Sequence, residues 1–244
     1  MASYLATLEI GQYTIVTQIG PSGLPIRNYF PSSDVVDATG ATRRTSEMIA
    51  YYSSVFGPYP FEAYGIVVIP EDLGFALENQ TLSVFGRDML DELTVVHELA
   101  HQWFGDSLSL KSWQDIWLNE GFATYAETLW IEHTEGQVAG DDYMRDLYDQ
   151  AEFDGPPGTP EVSDLFSEAV YYRGAWVLHA LRLKIGDEAF FKILREYYAR
   201  YAGKNASTGD FIAVAQQVSG QDLKIFFDDW LYSDQIPPLP LAGQ

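Results

Sequence analysis

Hydrophobic and polar positions change their period once along the chain. In the first third, the short β-rich runs Leu5–Ile10, Tyr13–Thr17 and Leu24–Tyr29 are separated by Gly11, Gly20-Pro21 and Gly23, the punctuation of strands and turns. They predict a small, mostly antiparallel sheet. Between about Thr39 and Phe56 the period becomes helical, with Met48, Ile49, Tyr52, Val55 and Phe56 on one side and Gly57-Pro58 as the stop. Tyr64–Ile69 and Thr81–Phe85 read as further strands, with Gly74–Gln80 between them. From Asp88 onward helical spacing takes over: Asp91–Phe104, Asp115–Ile131, Val138–Phe153, Ala169–Leu183, Glu188–Tyr201, Gly209–Ser219 and Leu223–Tyr232. The run Asp154–Pro160 is a loop too short to separate independent domains. The predicted class is α+β, with a β-rich lobe over 1–87 and an all-α lobe over 88–244 forming one domain, 1–244. A cleft between two such lobes is the natural place for chemistry.

Composition narrows what that chemistry can be. A hydrophobic fraction of 47% and an aromatic fraction of 15% in 244 residues exclude a disordered acidic tail. Lys+Arg number 14 against Asp+Glu 35, a formal charge of −21, and no basic run exceeds Arg43-Arg44. Nucleic acid and anionic membrane surfaces are therefore poor partners. Cysteine is absent, which removes disulfides, thiol nucleophiles and thiolate metal sites together, so any metal must use His, Asp or Glu. The longest clean apolar run, Ile66–Ile69, is far short of a membrane span, and Met1-Ala2-Ser3-Tyr4 lacks the basic and apolar regions of a signal peptide. The chain reads as soluble.

The central chemical signal is His97-Glu98-Leu99-Ala100-His101 inside a predicted helix. Residues i and i+4 lie one above the other on a helix, so both imidazoles can reach one metal ion. Glu98 is rotated by about 100° from His97, which puts it beside the metal's open side, where a base for water must be. The five-residue pattern by itself also fits a helix with two unrelated histidines. The next predicted helix answers this with Asn119-Glu120-Gly121, whose carboxylate can complete a His₂Glu set and leave a fourth position for water. Upstream, Gly74-Phe75-Ala76-Leu77-Glu78-Asn79 is an extended segment whose backbone can pair with a peptide while Glu78 meets a cation; a lone solvated glutamate is the plainer reading of the same residues. Glu127 lies on nearly the same helical face as Glu120 and is a candidate to orient a ligand imidazole, as are Asn119 and Asp115; an exposed helix carboxylate is the competing reading of Glu127. His133 and His179 lack partners at ligand spacing and read as structural, and Asp141-Asp142 and Asp228-Asp229 read as solvated charges.

The stretch from His97 to Gly105, followed by Trp113-Gln-Asp-Ile-Trp-Leu-Asn-Glu-Gly-Phe-Ala-Thr-Tyr125, resembles the core signature of the M1 zinc aminopeptidases, a gluzincin group. The resemblance covers about Tyr4 to Pro238 and implies a thermolysin-like catalytic domain with one zinc ion held by His97, His101 and Glu120 and with Glu98 as the base. Phe75–Asn79 is similar to the family's Gly-Ala-Met-Glu-Asn motif, which implies that Glu78 anchors the substrate's free α-amine, with Ala76, Leu77 and Asn79 beside it. Phe75 replaces the usual Gly and Leu77 the usual Met, departures that bear on the first side-chain pocket. Val170-Tyr171-Tyr172-Arg173-Gly174-Ala175 is similar to the Tyr-x-Lys-Gly-Ala element with Arg for Lys, and this register implies Tyr171 as the oxyanion donor. Asp106 stands where the family commonly has Asn. The implied activity is removal of single N-terminal residues from peptides. A thermolysin-like endopeptidase and a zinc-stabilised interaction domain are the alternatives. Members of the family carry a β-domain before this region, and the chain begins about where the catalytic domain would begin.

Overall fold

A computed structural model of the chain describes residues 2–151 and 155–239, so Glu152 and Phe153 of the expected helix and Asp154 of the expected loop lie outside the described residues. The chain divides into two compact units, Met1–Ser107 and Leu108–Gln244.

The first unit is built on a sheet of β1 (Thr14–Ile19), β2 (Pro25–Phe30), β3 (Ile66–Ile69), β4 (Ala76–Leu77) and β5 (Ser83–Gly86), in the order β1-β2-β3-β5-β4. β1 pairs antiparallel with β2, and β4 with β5, but the β2–β3 and β3–β5 ladders are parallel. The sheet is therefore mixed, not mostly antiparallel. Parallel pairing of β2 and β3 requires a crossover, and two helices supply it, α1 (Val35–Thr42) and α2 (Thr45–Val55). β3 and β5, in the sheet interior, are almost wholly buried apolar runs, whereas β1 at the edge alternates half-buried and exposed residues. Leu5–Ile10 is not a strand: a 3₁₀ turn spans Ser3–Leu5, only Leu5 is buried, and Leu8 and Ile10 are 83% and 87% exposed.

The single helix expected up to Phe56 is interrupted at Arg43-Arg44. Its buried face is as the spacing predicted, with Met48, Ile49, Tyr52 and Val55 inward and Phe56 just beyond. Gly57, at φ 127°, turns the chain away, and its carbonyl accepts a hydrogen bond from Trp103 Nε1 at 2.9 Å. Tyr52, Phe56, Trp103 and Phe104 form one aromatic cluster, with Phe56 stacked on Tyr52 at 5.2 Å and edge-on to Phe104 at 5.0 Å. The apolar stripe of α2 thus packs against residues directly following α3 (Glu92–Ala100). Asp91 starts α3 by accepting from the backbone N–H groups of Leu93 and Thr94 at 2.9 and 3.0 Å.

The second unit is mainly helical: α4 (Trp117–Glu135), α5 (Gln137–Ala151), α6 (Gly174–Ile185), α7 (Asp187–Tyr201), α8 (Thr208–Ser219) and α9 (Lys224–Tyr232). It is not all-α, because β6 (Ser109–Leu110) pairs in parallel with β7 (Asn205–Ala206). α4 is its core, buried from Trp117 to Ala126 and again from Thr128 to Ile131, as a helix apolar on nearly every side must be. α7 buries Phe190, Ile193, Leu194, Tyr197 and Tyr198 at the spacing of a one-sided helix. Ser207 and Asp210 form a capping box at the start of α8. No helix among the described residues is long and apolar enough to cross a membrane.

His179 of α6 is buried, edge-on to Trp176 at 5.0 Å, with its Nδ1 3.4 Å from the Tyr125 hydroxyl. Burial, then the positive charges of Arg182 and Arg145, lower its pKa from 6.5 to about 4 against a smaller opposing effect of Asp187. The folded chain therefore refuses a proton that the unfolded chain accepts, so this contribution to stability is full above about pH 6.5 and is lost as pH falls toward 4. The span corresponds to roughly 3 kcal/mol at most. Urea unfolding at pH 7 and pH 4.5 should show the native chain losing more stability than His179→Gln over that interval; equal losses would assign the acid sensitivity to other groups.

Candidate metal centre

The i, i+4 geometry of α3 brings the His97 and His101 rings edge to face with centroids 4.8 Å apart. His101 is buried, and its Nδ1 lies 3.1 Å from the Phe104 carbonyl oxygen. A carbonyl can only accept, so the ring proton sits on Nδ1 and Nε2 keeps the lone pair that a metal needs. Glu120 is buried in the first turn of α4. One ligand atom from each of His97, His101 and Glu120 lies within 4.8 Å of the others, the one such group among the described residues. Two neutral imidazoles and one carboxylate are a donor set that fits zinc and leaves a coordination position open. Glu98, one residue beyond His97, is buried as well.

β4 is the outer strand of the first unit's sheet, in register Ala76↔Phe85 and Leu77↔Val84, and the Phe75 carbonyl accepts from Gly86 N at 3.2 Å. Phe75 itself is exposed and Leu77 half-buried. Glu78 and Asn79 follow directly and are buried. The Glu78 carboxylate Oε1 accepts from the Tyr4 hydroxyl at 3.0 Å, and the Glu78 carbonyl accepts from Gln102 Nε2 at 3.2 Å. Gln102 Oε1 in turn accepts from Thr81 N at 2.8 Å, and Asn79 Nδ2 donates to the Tyr4 carbonyl at 3.3 Å. Neither Tyr4 nor Gln102 is legible as a site residue in the sequence; adjacency of Gln102 to His101 is the only local signal it carries.

Tyr171 is half-buried in a π-helical turn, Ala169–Arg173, that leads into α6. Arg173 is fully buried and donates to the carbonyls of Trp230 (2.9 Å), Asp229 (3.2 Å) and Ser233 (2.7 Å), closing the end of α9. Burial lowers its pKa to about 10, still cationic near neutrality. Directly beyond it, Gly174 meets Gly121, the neighbour of Glu120. A Cβ on Gly121 would lie 2.7 Å from the Gly174 carbonyl carbon, and one on Gly174 would lie 3.1 Å from Gly121 Cα. Two motif glycines therefore serve one purpose, close passage of two backbones.

The remaining candidates fall outside this arrangement or beside it. Glu127 accepts from the Tyr143 hydroxyl of α5, and Asp115 Oδ1 accepts from Thr208 N (2.9 Å) and Thr208 Oγ1 (2.8 Å) at the start of α8. Asn119 is buried. His133 is exposed beside Trp130, and Asp142, Asp228 and Asp229 are exposed. Asp106 is buried, and burial, followed by the charge of Glu78, raises its carboxyl pKa well above the usual range despite the opposing influence of His101.

A helix-borne histidine pair, an intervening glutamate and a carboxylate from a second helix define a centre of the zinc metallopeptidase class. Residues 41–230 match the peptidase family M1 domain, and the chain belongs to peptidase family M1. It is 30% identical to aminopeptidase N of Streptomyces lividans over 95% of this chain and 31% of that protein. It is 29% identical to glutamyl aminopeptidase of Sus scrofa over 94% of this chain and 27% of that protein. Its fold is similar to that of an M1 zinc metallopeptidase from Deinococcus radiodurans, with a TM-score of 0.88 and 33% identity over 96% of this chain and 55% of that chain. The chain thus spans about a third of the length of these aminopeptidases, 31% and 27%. Family and donor set together identify the metal as zinc.

The glycine contact is asymmetric and testable. Gly121→Ala drives its new methyl into backbone, so it should lower stability by about 1–3 kcal/mol, the range for overpacking. Gly174→Ala, with its nearest atom at 3.1 Å, should lose less. Thermal unfolding of both variants checks the order, and an equal or reversed order would remove the close-passage role.

Proposed function

We propose that this chain is the catalytic portion of a zinc aminopeptidase that removes the N-terminal residue from peptides with a free amine. The carrying observation is the convergence of His97, His101 and Glu120 within 4.8 Å, with Glu98 in the same turn of the histidine helix. Similar proteins named aminopeptidase N and glutamyl aminopeptidase support the substrate class, and one similar solved structure is of an M1 zinc metallopeptidase mutant bound to a Tyr-Ser-Ala substrate. The thermolysin-like arrangement expected for the family belongs to the same reading.

When bound, zinc supplies the Lewis acid for polarising the scissile carbonyl and activating water. Glu98 takes the proton from the attacking water and hands it to the leaving amine. The Tyr171 hydroxyl donates to the developing oxyanion. Glu78 holds the substrate ammonium one residue from the scissile bond, while the backbone of Ala76 and Leu77 aligns the substrate and Asn79 flanks it. Hydrolysis and the restriction to chain ends thus rest on different carboxylates. Phe75 and Leu77, in place of the family's usual Gly and Met, give the pocket for the first side chain a bulkier border at one position and a branched one at the other.

Hydrolysis of an aminoacyl-nitroanilide panel, with chelator and then zinc add-back, tests the activity. Chelator-sensitive turnover restored by zinc is expected; none on any substrate would favour an interaction domain, and cleavage of N-blocked peptides at internal bonds would favour an endopeptidase. Glu98→Gln should lower kcat by roughly 10²–10⁴-fold, the usual contribution of a positioned general base, while zinc content stays unchanged. Near-normal turnover in that variant overturns the assignment of Glu98.

A further inference from the structure

We propose that Tyr4 and Gln102 are positioning residues that brace Glu78 as the amine anchor, Tyr4 on its carboxylate and Gln102 on its backbone. The proposal rests on the reading of Glu78 given above. An ammonium group is held well only by a carboxylate that is already oriented, because a freely rotating glutamate must give up its rotamers on each binding event. Glu78 follows a two-residue strand, and β-ladder pairing stops at Leu77, one residue before it. The constraint has to come from elsewhere.

Two sources are present. The Tyr4 hydroxyl donates to Oε1 at 3.0 Å, which fixes the plane of the carboxylate, and the segment behind it is tied to the same stretch by Asn79 Nδ2 to the Tyr4 carbonyl at 3.3 Å and Gln80 N to the Leu5 carbonyl at 3.1 Å. Hydrogen bonds to an ionised acceptor are roughly twice as strong as neutral ones. Gln102 holds the backbone of the same residue. Its amide spans the turn, donating from Nε2 to the Glu78 carbonyl at 3.2 Å and accepting at Oε1 from Thr81 N at 2.8 Å. Thr81 sits at φ 67°, a conformation threonine rarely adopts, so the turn needs an external hold. Gln102 is completely buried and covalently adjacent to His101. A chain of one peptide bond and one side-chain hydrogen bond therefore connects the metal-ligand helix to the amine anchor. Because that spacing decides how many residues fit between ammonium and scissile bond, the brace sets the register of the cut.

The test uses the zinc-loaded chain and two probes, leucine hydroxamate with a free amine and N-acetyl-leucine hydroxamate, with dissociation constants measured by calorimetry. Tyr4→Phe keeps the ring and removes only the hydroxyl; it should weaken the free-amine probe about tenfold and leave the acetylated probe within about twofold. In a Glu78→Ala background Tyr4→Phe should add nothing, because the group it orients is gone. Gln102→Met, close to isosteric and unable to hydrogen-bond as an amide does, should show the same amine-selective loss with zinc content unchanged. If Gln102→Met does not fold, Tyr4→Phe alone decides the carboxylate half of the brace, and Gln102→Glu, which can still accept from Thr81 N, replaces it for the backbone half. Equal weakening of both probes by Tyr4→Phe, or an additive effect on top of Glu78→Ala, overturns the brace while leaving Glu78 its role. Glu78→Ala that weakens both probes equally removes the amine role itself and the brace with it.

Discussion

The first unit depends on the turn of backbone that ends α3. His101 can present Nε2 only while Nδ1 is engaged by the Phe104 carbonyl, and that carbonyl is in reach only because the chain turns directly after the helix. Gly105, at φ 141°, continues the turn in a conformation that other residues avoid. Trp103 and Phe104 hold it there by packing against Tyr52 and Phe56. The orientation of a candidate metal ligand is thus inherited from the apolar stripe of α2, which contributes no candidate site residue of its own. Aromatic pairs of this kind contribute about 0.5–1.5 kcal/mol each beyond their buried area, and several share the load here.

The second unit solves a different problem. Glu120 and Tyr171 sit on separate stretches of chain, and the Gly121–Gly174 passage brings those stretches to backbone contact. Helices bearing ordinary side chains pack with axes about 8–10 Å apart, so the glycines are what permits the closer approach. The π turn before Gly174 carries Tyr171, and Arg173 anchors that turn to carbonyls at the end of α9. The guanidinium fork meets three carbonyl oxygens in different directions from one side chain, a geometry that suits Arg in a place where the family usually has Lys. Position 173 thus acts as a tie between elements.

Features carried by local spacing were readable in advance. The buried face of α2, the helix order from α3 to α9 and the neighbouring rings of His97 and His101 all follow from a 3.6-residue period. Features set by distant partners were not. Leu5–Ile10 alternates like a strand but pairs with no strand among the described residues, and periodicity alone cannot report that. The parallel ladders depend on the crossover through α1 and α2, which leaves no mark in β2 or β3 themselves. Asp115 lies two residues before α4, yet both described bonds of its carboxylate go to Thr208, 93 residues away. Tyr4, 74 residues from Glu78, is hidden for the same reason.

The acidic balance of the chain has a local counterpart. Glu78, Glu98 and Asp106 are all at least nine-tenths buried, and the raised pKa of Asp106 has the charges of Glu78 and Glu98 among its causes. Like charges removed from water raise one another's pKa, so such a cluster is stable only with protons or cations among its members. A zinc ion and a substrate ammonium are two cations of the kind such a cluster favours. Under the amine-anchor role proposed for Glu78, part of the electrostatic cost of crowding these carboxylates is offset when a cation binds, which favours a free ammonium over a blocked, uncharged amine.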